Sequence, residues 1–292
     1  MDKINLQEYW GQVPYLTRLG ATIASADVET VRLNLPYKDE NSNMGGMLHG
    51  GVAASLINLS ARMAAQMSQQ TDPKECEITV VDQDVQYLSA AISEPIDAVA
   101  TVLRKGKELS FISVDILKGD NKFVARGSVT VRTGPTSAKK VANPGELTPA
   151  QLGIETFTAG DMGKLLTQQG FIGDLGMDVQ HMESGYSVAF MNTQDKLEDG
   201  HGNLQDGAVA ALIDTTGAMA AWSMVELGMH RASTPALHVN FMQPSNGENI
   251  TAVGRNRWQR DELFLNEVWV MGQQSNRVIA TGNVVYRIVV SG

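Results

Sequence analysis

Two stretches of the chain share an unusual run of small and apolar residues. Residues 45–65 read GGMLHGGVAASLINLSARMAA, and residues 201–221 read HGNLQDGAVAALIDTTGAMAA. So dense a run of small apolar residues, led by glycine, predicts a buried helix in each case. Small side chains keep such a helix thin, so that large residues from neighbouring strands can close over it.

The residues after each predicted helix follow a different period. Apolar and polar side chains alternate, with many Val, Ile, Tyr and Phe, in segments near 78–88, 95–104, 109–118 and 122–132, and the pattern returns from 235 to 290. Such alternation is typical of half-buried antiparallel strands. An amphipathic helix, near 5–18 and again near 160–169, and a short strand or hairpin precede each buried helix. The pattern predicts an α+β fold in which an antiparallel sheet wraps around one long helix.

The two halves are copies of one plan. An offset of 156 aligns the two helical stretches, and Leu19-Gly20 then matches Leu175-Gly176. A segment between the copies is rich in Pro, Gly, Ser and Lys and lacks an apolar period, which is typical of a linker. We therefore expect an N-terminal module over 1–133, a linker over 134–155 and a C-terminal module over 156–292.

Composition narrows the classes of function. The formal net charge is −9 and the pI is about 5.1, which argues against non-specific nucleic-acid binding. Cys76 is the single cysteine, so neither an intrachain disulfide nor a thiolate metal cluster is expected, and no histidine has metal-ligand spacing. The sequence has no long apolar run and no signal-peptide pattern. We expect a soluble cytoplasmic protein with no cofactor, no metal and no membrane partner.

The residues at the start of the two helices resemble a signature of the hotdog-fold thioesterases, in the group of phenylacetate-pathway and 4-hydroxybenzoyl-CoA thioesterases. That signature is an Asn, then His-Gly-Gly six residues later, then an acid nine residues after the His. The first copy has Asn43, His49, Gly50 and Gly51, but Asn58 in place of the acid. The second copy has the acid, Asp214, but Asp199, Gln205 and Asp206 in place of the Asn, the His and the first Gly.

The resemblance implies two hotdog modules in one chain that together form a pseudo-dimer, with acyl-CoA thioesterase activity at sites across the interface. Helix geometry agrees, because Asn58 lies eight residues after Gly50 and therefore roughly 12 Å further along the axis. If the two helices lie side by side and antiparallel, Asn58 and Asp214 each face the start of the other helix. Two composite sites result.

The composite of Asn43, His49 and Gly50 with Asp214 is complete. The Gly50 N–H would stabilise the oxyanion, and Asp214 would act either as a base toward water or as a nucleophile, which the sequence leaves open. Asn43 would orient the water or the thioester, and His49 would brace the turn. The resemblance adds Ser233 or Thr234, just before a strand starting near Ala236, as a helper hydroxyl.

Structural alternatives to these roles remain. His-Gly-Gly is also compatible with a simple turn before a helix, and Asp214 with a buried acid bonded to Thr215 or Thr216. The other composite combines Asn58 with Gln205 and Asp206 and is expected to be degenerate. Asp206 is expected to cap its helix.

A CoA ligand needs cations for its phosphates. Two clusters lie at equivalent strand connections, alongside Gly51 as candidate substrate-binding residues: Arg104, Lys105 and Lys107, and Arg255, Arg257 and Arg260. Solvated hairpin charge is the alternative explanation for both clusters. The expected function is hydrolysis of an acyl-CoA at one composite site, and the alternative is a non-catalytic acyl-CoA binding or sensing protein. Hotdog modules often pair further, so a homodimer of the fused chain is left open.

Overall fold

The computed structural model describes residues 6–43, 45–72, 76–135, 156–167, 170–226, 228 and 230–290. Most of the predicted linker, residues 136–155, lies outside the described residues, and so do residue 5 and residues 168 and 169 of the predicted opening helices. None of the described helices combines the length and the hydrophobicity needed to span a membrane.

The first half follows the predicted order of elements. Its helices are α1 (Leu6–Trp10), α2 (Pro14–Leu19) and α3 (Gly50–Gln69). Its strands are β1 (Thr22–Ala26), β2 (Thr30–Leu35), β3 (Glu77–Tyr87), β4 (Ile96–Lys105), β5 (Leu109–Lys118) and β6 (Lys122–Gly134). The prediction of one opening helix over 5–18 is wrong, because the helix is interrupted between Trp10 and Pro14. Proline has no N–H to donate to the preceding turn, and Pro14 instead begins a new helix.

The second half repeats these elements. Its helices are α4 (Gly160–Leu166), α5 (Gly170–Asp174) and α6 (Asp206–Trp222). Its strands are β7 (Met177–Glu183), β8 (Tyr186–Met191), β9 (Arg231–Phe241), β10 (Ile250–Arg260), β11 (Leu263–Gly272) and β12 (Val278–Val289). β9 begins at Arg231, earlier than the predicted start near Ala236, so that Ser233 and Thr234 lie within the strand.

All of the strands belong to one antiparallel sheet. Their order is β1-β2-β4-β5-β6-β3-β9-β12-β11-β10-β8-β7. The two halves meet where β3 pairs with β9, with Val85 opposite Leu237. Each half of the sheet packs over its own long helix, α3 or α6, as the alternating pattern predicts.

The two long helices pack against each other through small residues. A side-chain carbon built on Gly51 would lie 2.6 Å from Cβ of Ala211, and one built on Gly207 would lie 2.8 Å from Cα of Ser55. Moving forward along α3 from Gly51 to Ser55 therefore means moving backward along α6 from Ala211 to Gly207. The helices are antiparallel, and the start of each faces the middle of the other.

Candidate active site

The turn that begins α3 leaves one backbone donor available. His49 caps the helix: its ring Nδ1 accepts a hydrogen bond from the Gly51 N–H at 2.9 Å, and its carbonyl accepts one from the Val52 N–H at 3.0 Å. Among the residues that the structure describes, the Gly50 N–H has no acceptor. This donor lies at the positive end of a 20-residue helix, which is a favourable place for negative charge.

The His49 ring is held in one state. Burial, with a smaller contribution from the nearby Arg18 guanidinium, lowers the pKa of His49 to about 4. Its ring packs against that of Phe171, with 4.9 Å between the ring centroids. Because Nδ1 accepts the Gly51 bond, the single proton of the neutral ring resides on Nε2.

The carboxylate of Asp214 reaches this turn from the middle of α6. A side-chain carbon built on Gly50 would lie 2.9 Å from Oδ2 of Asp214, while Oδ1 accepts a hydrogen bond from the Thr234 hydroxyl at 2.9 Å. The expected alternative partners, Thr215 and Thr216, are wrong: the Thr216 hydroxyl donates to the Leu212 carbonyl instead. The geometric condition for the first composite is met, because the acid of the second copy faces the glycine turn of the first.

Burial sets the protonation of this acid. Asp214 is 4% exposed, and burial raises its pKa to about 6, partly offset by the hydrogen bond from Thr234. A carboxylate with such a pKa is still ionised at neutral pH, yet it is a stronger base than an exposed aspartate. It is therefore suited to take a proton from water.

Tyr87, a residue that sequence reasoning missed, lies against the same Gly50 turn. Its hydroxyl donates to the Gly50 carbonyl at 3.1 Å, and its ring carbon Cε1 lies 3.4 Å from a side-chain carbon built on Gly50. Burial and the Asp214 carboxylate raise the pKa of Tyr87 well above its usual value, so the hydroxyl keeps its proton. The available signal was the alignment of the two copies, in which Phe241 replaces this tyrosine.

Of the remaining predicted catalytic residues, one contacts Asp214 and the other two are exposed. Of the two candidate hydroxyls, Thr234 contacts Asp214, whereas Ser233 is exposed and lies opposite Arg287 of β12. Asn43 is exposed, and its backbone forms a turn in which its N–H donates to the Met47 carbonyl at 2.7 Å. The structure therefore brings His49, Gly50, Asp214 and Thr234 together, with Asn43 in the loop before them.

Known proteins resemble this chain over one module and over both. Residues 38–132 match the family model described as the acyl-CoA thioesterase N-terminal domain. Acyl-coenzyme A thioesterase 13 of Mus musculus is 33% identical over 115 residues, which cover 39% of this chain and 79% of that protein. The chain belongs to the acyl-CoA thioesterase family. Acyl-coenzyme A thioesterase PaaI of Escherichia coli is 27% identical over 105 residues, covering 36% of this chain and 72% of that protein.

Solved structures match this acyl-CoA thioesterase family member over nearly its whole length. A hot dog fold protein from Alicyclobacillus acidocaldarius has a TM-score of 0.63 at 16% identity and covers 92% of this chain and 96% of its own. An acyl-CoA thioesterase II from Mycobacterium marinum has a TM-score of 0.61 at 12% identity and covers 93% of this chain and 97% of its own. The first confirms the predicted hotdog fold, and both match this chain across its two halves.

Amide side chains bond one another in the second composite of this thioesterase. Nε2 of Gln205 donates to Oδ1 of Asn58 at 3.1 Å, and Nδ2 of Asn58 donates to Oε1 of Gln83 at 3.1 Å. Gln83 in turn donates to the Ala54 carbonyl at 3.0 Å, and all three amide side chains belong to fully buried residues (0% exposed). The amide of Asn58, at the position of Asp214, is therefore bonded both to Gln205, at the position of His49, and to Gln83.

The expectation that Asp206 caps α6 is wrong. Gln205 caps the helix by accepting a hydrogen bond from the Gly207 N–H, as His49 does for Gly51. Asp206 is instead the first helical residue, at the position of Gly50. Its carboxylate lies 3.9 Å from the Arg62 guanidinium, and burial raises its pKa to about 6. A carboxylate here is a poor neighbour for an oxyanion because like charges repel.

The two cationic clusters occupy different places relative to the first composite. Nζ of Lys105 donates to the Ser68 carbonyl at 2.7 Å, at the far end of α3 and roughly 27 Å along the axis from Gly50. The structure therefore does not bring the cluster of Arg104, Lys105 and Lys107 to the Gly50 turn. An open cleft of about 590 Å³ lies beside Lys105, away from Gly50 and Asp214.

The second cationic cluster lies close to acidic side chains of β11 and of the hairpin before it. Arg255 bonds Glu267 at 2.9 Å, Arg257 lies 4.0 Å from the same carboxylate, and Arg260 lies 3.8 Å from Asp261. The hairpin of Arg260 and Leu263 lies at the same end of the sheet as Ser233, because Arg287 of β12 pairs with both Leu263 and Ser233.

Gly51 has a packing role in this structure. An added side-chain carbon would collide with Ala211 and would lie 3.0 Å from Cε1 of Phe171. The glycine is buried in the helix crossing, so its contact with substrate stays a prediction.

Proposed function

We propose that this member of the acyl-CoA thioesterase family hydrolyses an acyl-CoA at one composite site, formed by the Gly50 turn of the first copy and Asp214 of the second. The observation that carries the proposal is the placement of the Asp214 carboxylate directly against Gly50, whose N–H has no acceptor among the described residues. A free donor and a buried base face the same small volume, which is the arrangement that thioester hydrolysis needs.

The reaction begins with the thioester carbonyl oxygen near the Gly50 N–H. Asp214 takes a proton from water, the water oxygen adds to the carbonyl carbon, and the resulting oxyanion is stabilised by the Gly50 donor and the helix end. The carbon–sulfur bond then breaks, and the CoA thiolate receives the proton held by Asp214. The products are a carboxylic acid and free CoA thiol. In the alternative route Asp214 attacks the carbonyl carbon directly and expels the CoA thiolate, and water then hydrolyses the resulting anhydride, restoring Asp214 and giving the same products.

The neighbouring residues support this chemistry. Thr234 holds Oδ1 of Asp214, which leaves Oδ2 toward Gly50. Tyr87 fixes the Gly50 carbonyl, on the peptide that follows the donor in the turn. We assign Asn43, at the exposed side of the turn, to orientation of the water or the thioester, and the second cationic cluster of Arg255, Arg257 and Arg260 to the CoA phosphates.

The second composite is proposed to be degenerate. Asn58 has no acidic form, and its amide is already bonded on both sides by Gln205 and Gln83. Asp206 adds negative charge where an oxyanion would form. We retain the predicted division into modules over 1–133 and 156–292, joined by a linker over 134–155, as part of the proposal.

The decisive experiment replaces one acid at a time. Asp214→Asn should lower turnover of acyl-CoA thioesters by about 10²- to 10⁴-fold, because the base is lost while the shape of the side chain is kept. Asp206→Asn is the matched control, since this acid also has a pKa of about 6 but belongs to the second composite. Purified variants are assayed against a panel of acyl-CoA thioesters by release of free thiol.

The same panel separates catalysis from binding alone. If wild-type protein binds acyl-CoA but releases no thiol from any thioester, the chain is an acyl-CoA binding or sensing protein. Equal losses in Asp214→Asn and Asp206→Asn would contradict a single working composite.

A further inference from the structure

An ion pair between a buried arginine and a partly exposed aspartate joins the two halves beside the proposed site. Nε of Arg18, on α2, donates to Oδ2 of Asp174, on α5, at 2.6 Å, and the Arg18 side chain is only 6% exposed. The offset between Arg18 and Asp174 is 156, the same offset that aligns the two copies of the sequence. The ion pair therefore joins equivalent positions of the two modules.

Such a contact has a special meaning in a duplicated chain. When two identical modules pair about a two-fold axis, a residue near the axis faces its own copy. An arginine there would face an arginine, and two buried like charges repel strongly. In the fused chain this position has diverged to opposite charges, so one module carries the cation and the other the anion.

The cation reaches His49 by two routes. The Arg18 guanidinium lies over the ring of Phe171 at 4.7 Å, and that ring packs on His49 at 4.9 Å. Nη1 of Arg18 also donates to Oδ1 of Asn41 at 2.9 Å, and the Asn41 carbonyl accepts the His49 N–H at 3.0 Å. Both the ring and the backbone of the capping histidine are thus supported by one side chain.

The equivalent contacts are missing from the other composite. At the position of Phe171 the first copy has Tyr15, whose hydroxyl bonds the Ser55 hydroxyl at 2.8 Å. Asn41 corresponds to Leu197, which has no side-chain acceptor, and Asp174 bonds Lys196 at 2.9 Å. The guanidinium therefore serves only the composite that contains His49 and Gly50.

We propose that Arg18 is a positioning residue, which fixes His49 and, through it, the direction of the Gly50 donor, and that the fusion of two modules made this arrangement available. The inference rests on the proposed function of the first composite. Arg18 itself lies behind the turn and acts on the reaction only through Phe171, Asn41 and His49.

The test removes the guanidinium and measures kcat and KM separately. Arg18→Met should lower kcat by about 10- to 100-fold with little change in KM, because a misplaced donor loses transition-state stabilisation while the substrate pocket is kept. Asp174 stays paired with Lys196 in this variant, so no carboxylate is left without a partner. Arg18→Lys, which keeps the charge but not the planar contact with Phe171, should recover part of the loss.

Arg62→Met is the matched control. Arg62 is the other nearly buried arginine beside an aspartate, and it belongs to the second composite. Its loss should change the thermal unfolding midpoint but leave kcat per folded molecule within about twofold of wild type. Equal falls in kcat for Arg18→Met and Arg62→Met would overturn the proposal, and so would a wild-type kcat in folded Arg18→Met.

A further variant covers the case in which Arg18→Met does not fold. Asp174→Asn keeps the guanidinium but removes its anchor, and a fall in kcat without a matching fall in folded fraction supports the positioning role. An unchanged kcat in this variant and in Arg18→Lys refutes it. Asp214→Asn, assayed in parallel, tells the two proposals apart: if that variant keeps full turnover, the proposed function itself fails, whatever Arg18 does.

Discussion

The two composites have the same backbone and opposite chemistry. Both place the start of one long helix against the middle of the other, and both cap that start by a side chain that accepts from the N–H two residues later. In the first composite a carboxylate faces an uncapped glycine donor. In the second, the amide of Asn58 replaces that carboxylate and bonds Gln205 and Gln83. Equal backbone geometry therefore carries different side chains at the two composites.

The strands that line the two composites differ in polarity at two equivalent positions. Thr234, which bonds Asp214, aligns with Val80, and Tyr87, which bonds the Gly50 carbonyl, aligns with Phe241. At both positions the polar group occurs only beside the composite of Gly50 and Asp214. Where no acid occupies the position of Asp214, apolar residues at these positions avoid unpaired buried polar groups.

The largest difference in turnover between the two composites should come from adding a side-chain carbon at the start of each helix. Gly50→Ala adds a carbon 2.9 Å from Oδ2 of Asp214, so we expect turnover to fall by about 10²- to 10³-fold through loss of access to the donor. Asp206→Ala, at the equivalent position of α6, should change turnover little. Steady-state rates of the two variants at equal folded fraction check this, and a wild-type rate in Gly50→Ala would rule out the assigned donor.

A smaller and graded effect should follow from pH. Asp214 must be ionised to act, so kcat/KM should fall about tenfold per pH unit below a midpoint near 6. His49, with a pKa of about 4, stays neutral over most of this range. A midpoint near 4, the ordinary value for aspartate, would mean that Asp214 is not the titrating group.

The same raised pKa has a consequence for stability. The folded protein holds the Asp214 proton more tightly than the unfolded chain, so this contribution is complete below about pH 4 and is lost as the pH rises through about 6. Chemical unfolding at pH 7 should therefore give Asp214→Asn a free energy of unfolding at least as large as that of wild type.

The smallest effect should come from restoring only the missing acid. Asn58→Asp should give no second working composite, because Gln205 and Asp206 still occupy the start of α6. Titration with a non-hydrolysable acyl-CoA analogue and active-site counting should still report one site per chain. Two functional sites per chain would show that the acid alone separates the two composites.

The sequence was most informative where a pattern is repeated. The offset of 156 and the alternating strands predicted two modules and their long helices, and the spacing from Gly50 to Asn58 predicted which residues face each other. Prediction was poorer where tertiary contacts decide. The partner of Asp214 is Thr234 on a strand, not its helical neighbours Thr215 and Thr216, and no local spacing reveals that contact.

Capping chemistry was missed for a related reason. Aspartate is a common helix cap and glutamine is not, so residue preference favoured Asp206. In the structure Gln205 occupies the position of His49, and the duplication overrides the preference. Alignment of the copies would have found both residues, because Gln205 aligns with the capping His49 and Tyr87 aligns with the apolar Phe241.

Main-chain hydrogen bonds pair β3 with β9, with Gln83 opposite Val239, and a side-chain contact between His238 and Asp84 also crosses the seam at 2.7 Å. Backbone amides and carbonyls pair in the same way whichever side chains they carry. A homodimer receives every mutation twice, once in each subunit, but in this chain a change enters one copy and leaves its twin untouched. Backbone pairing along this seam thus lets the two copies specialise into unequal halves while they remain bound in fixed proportion.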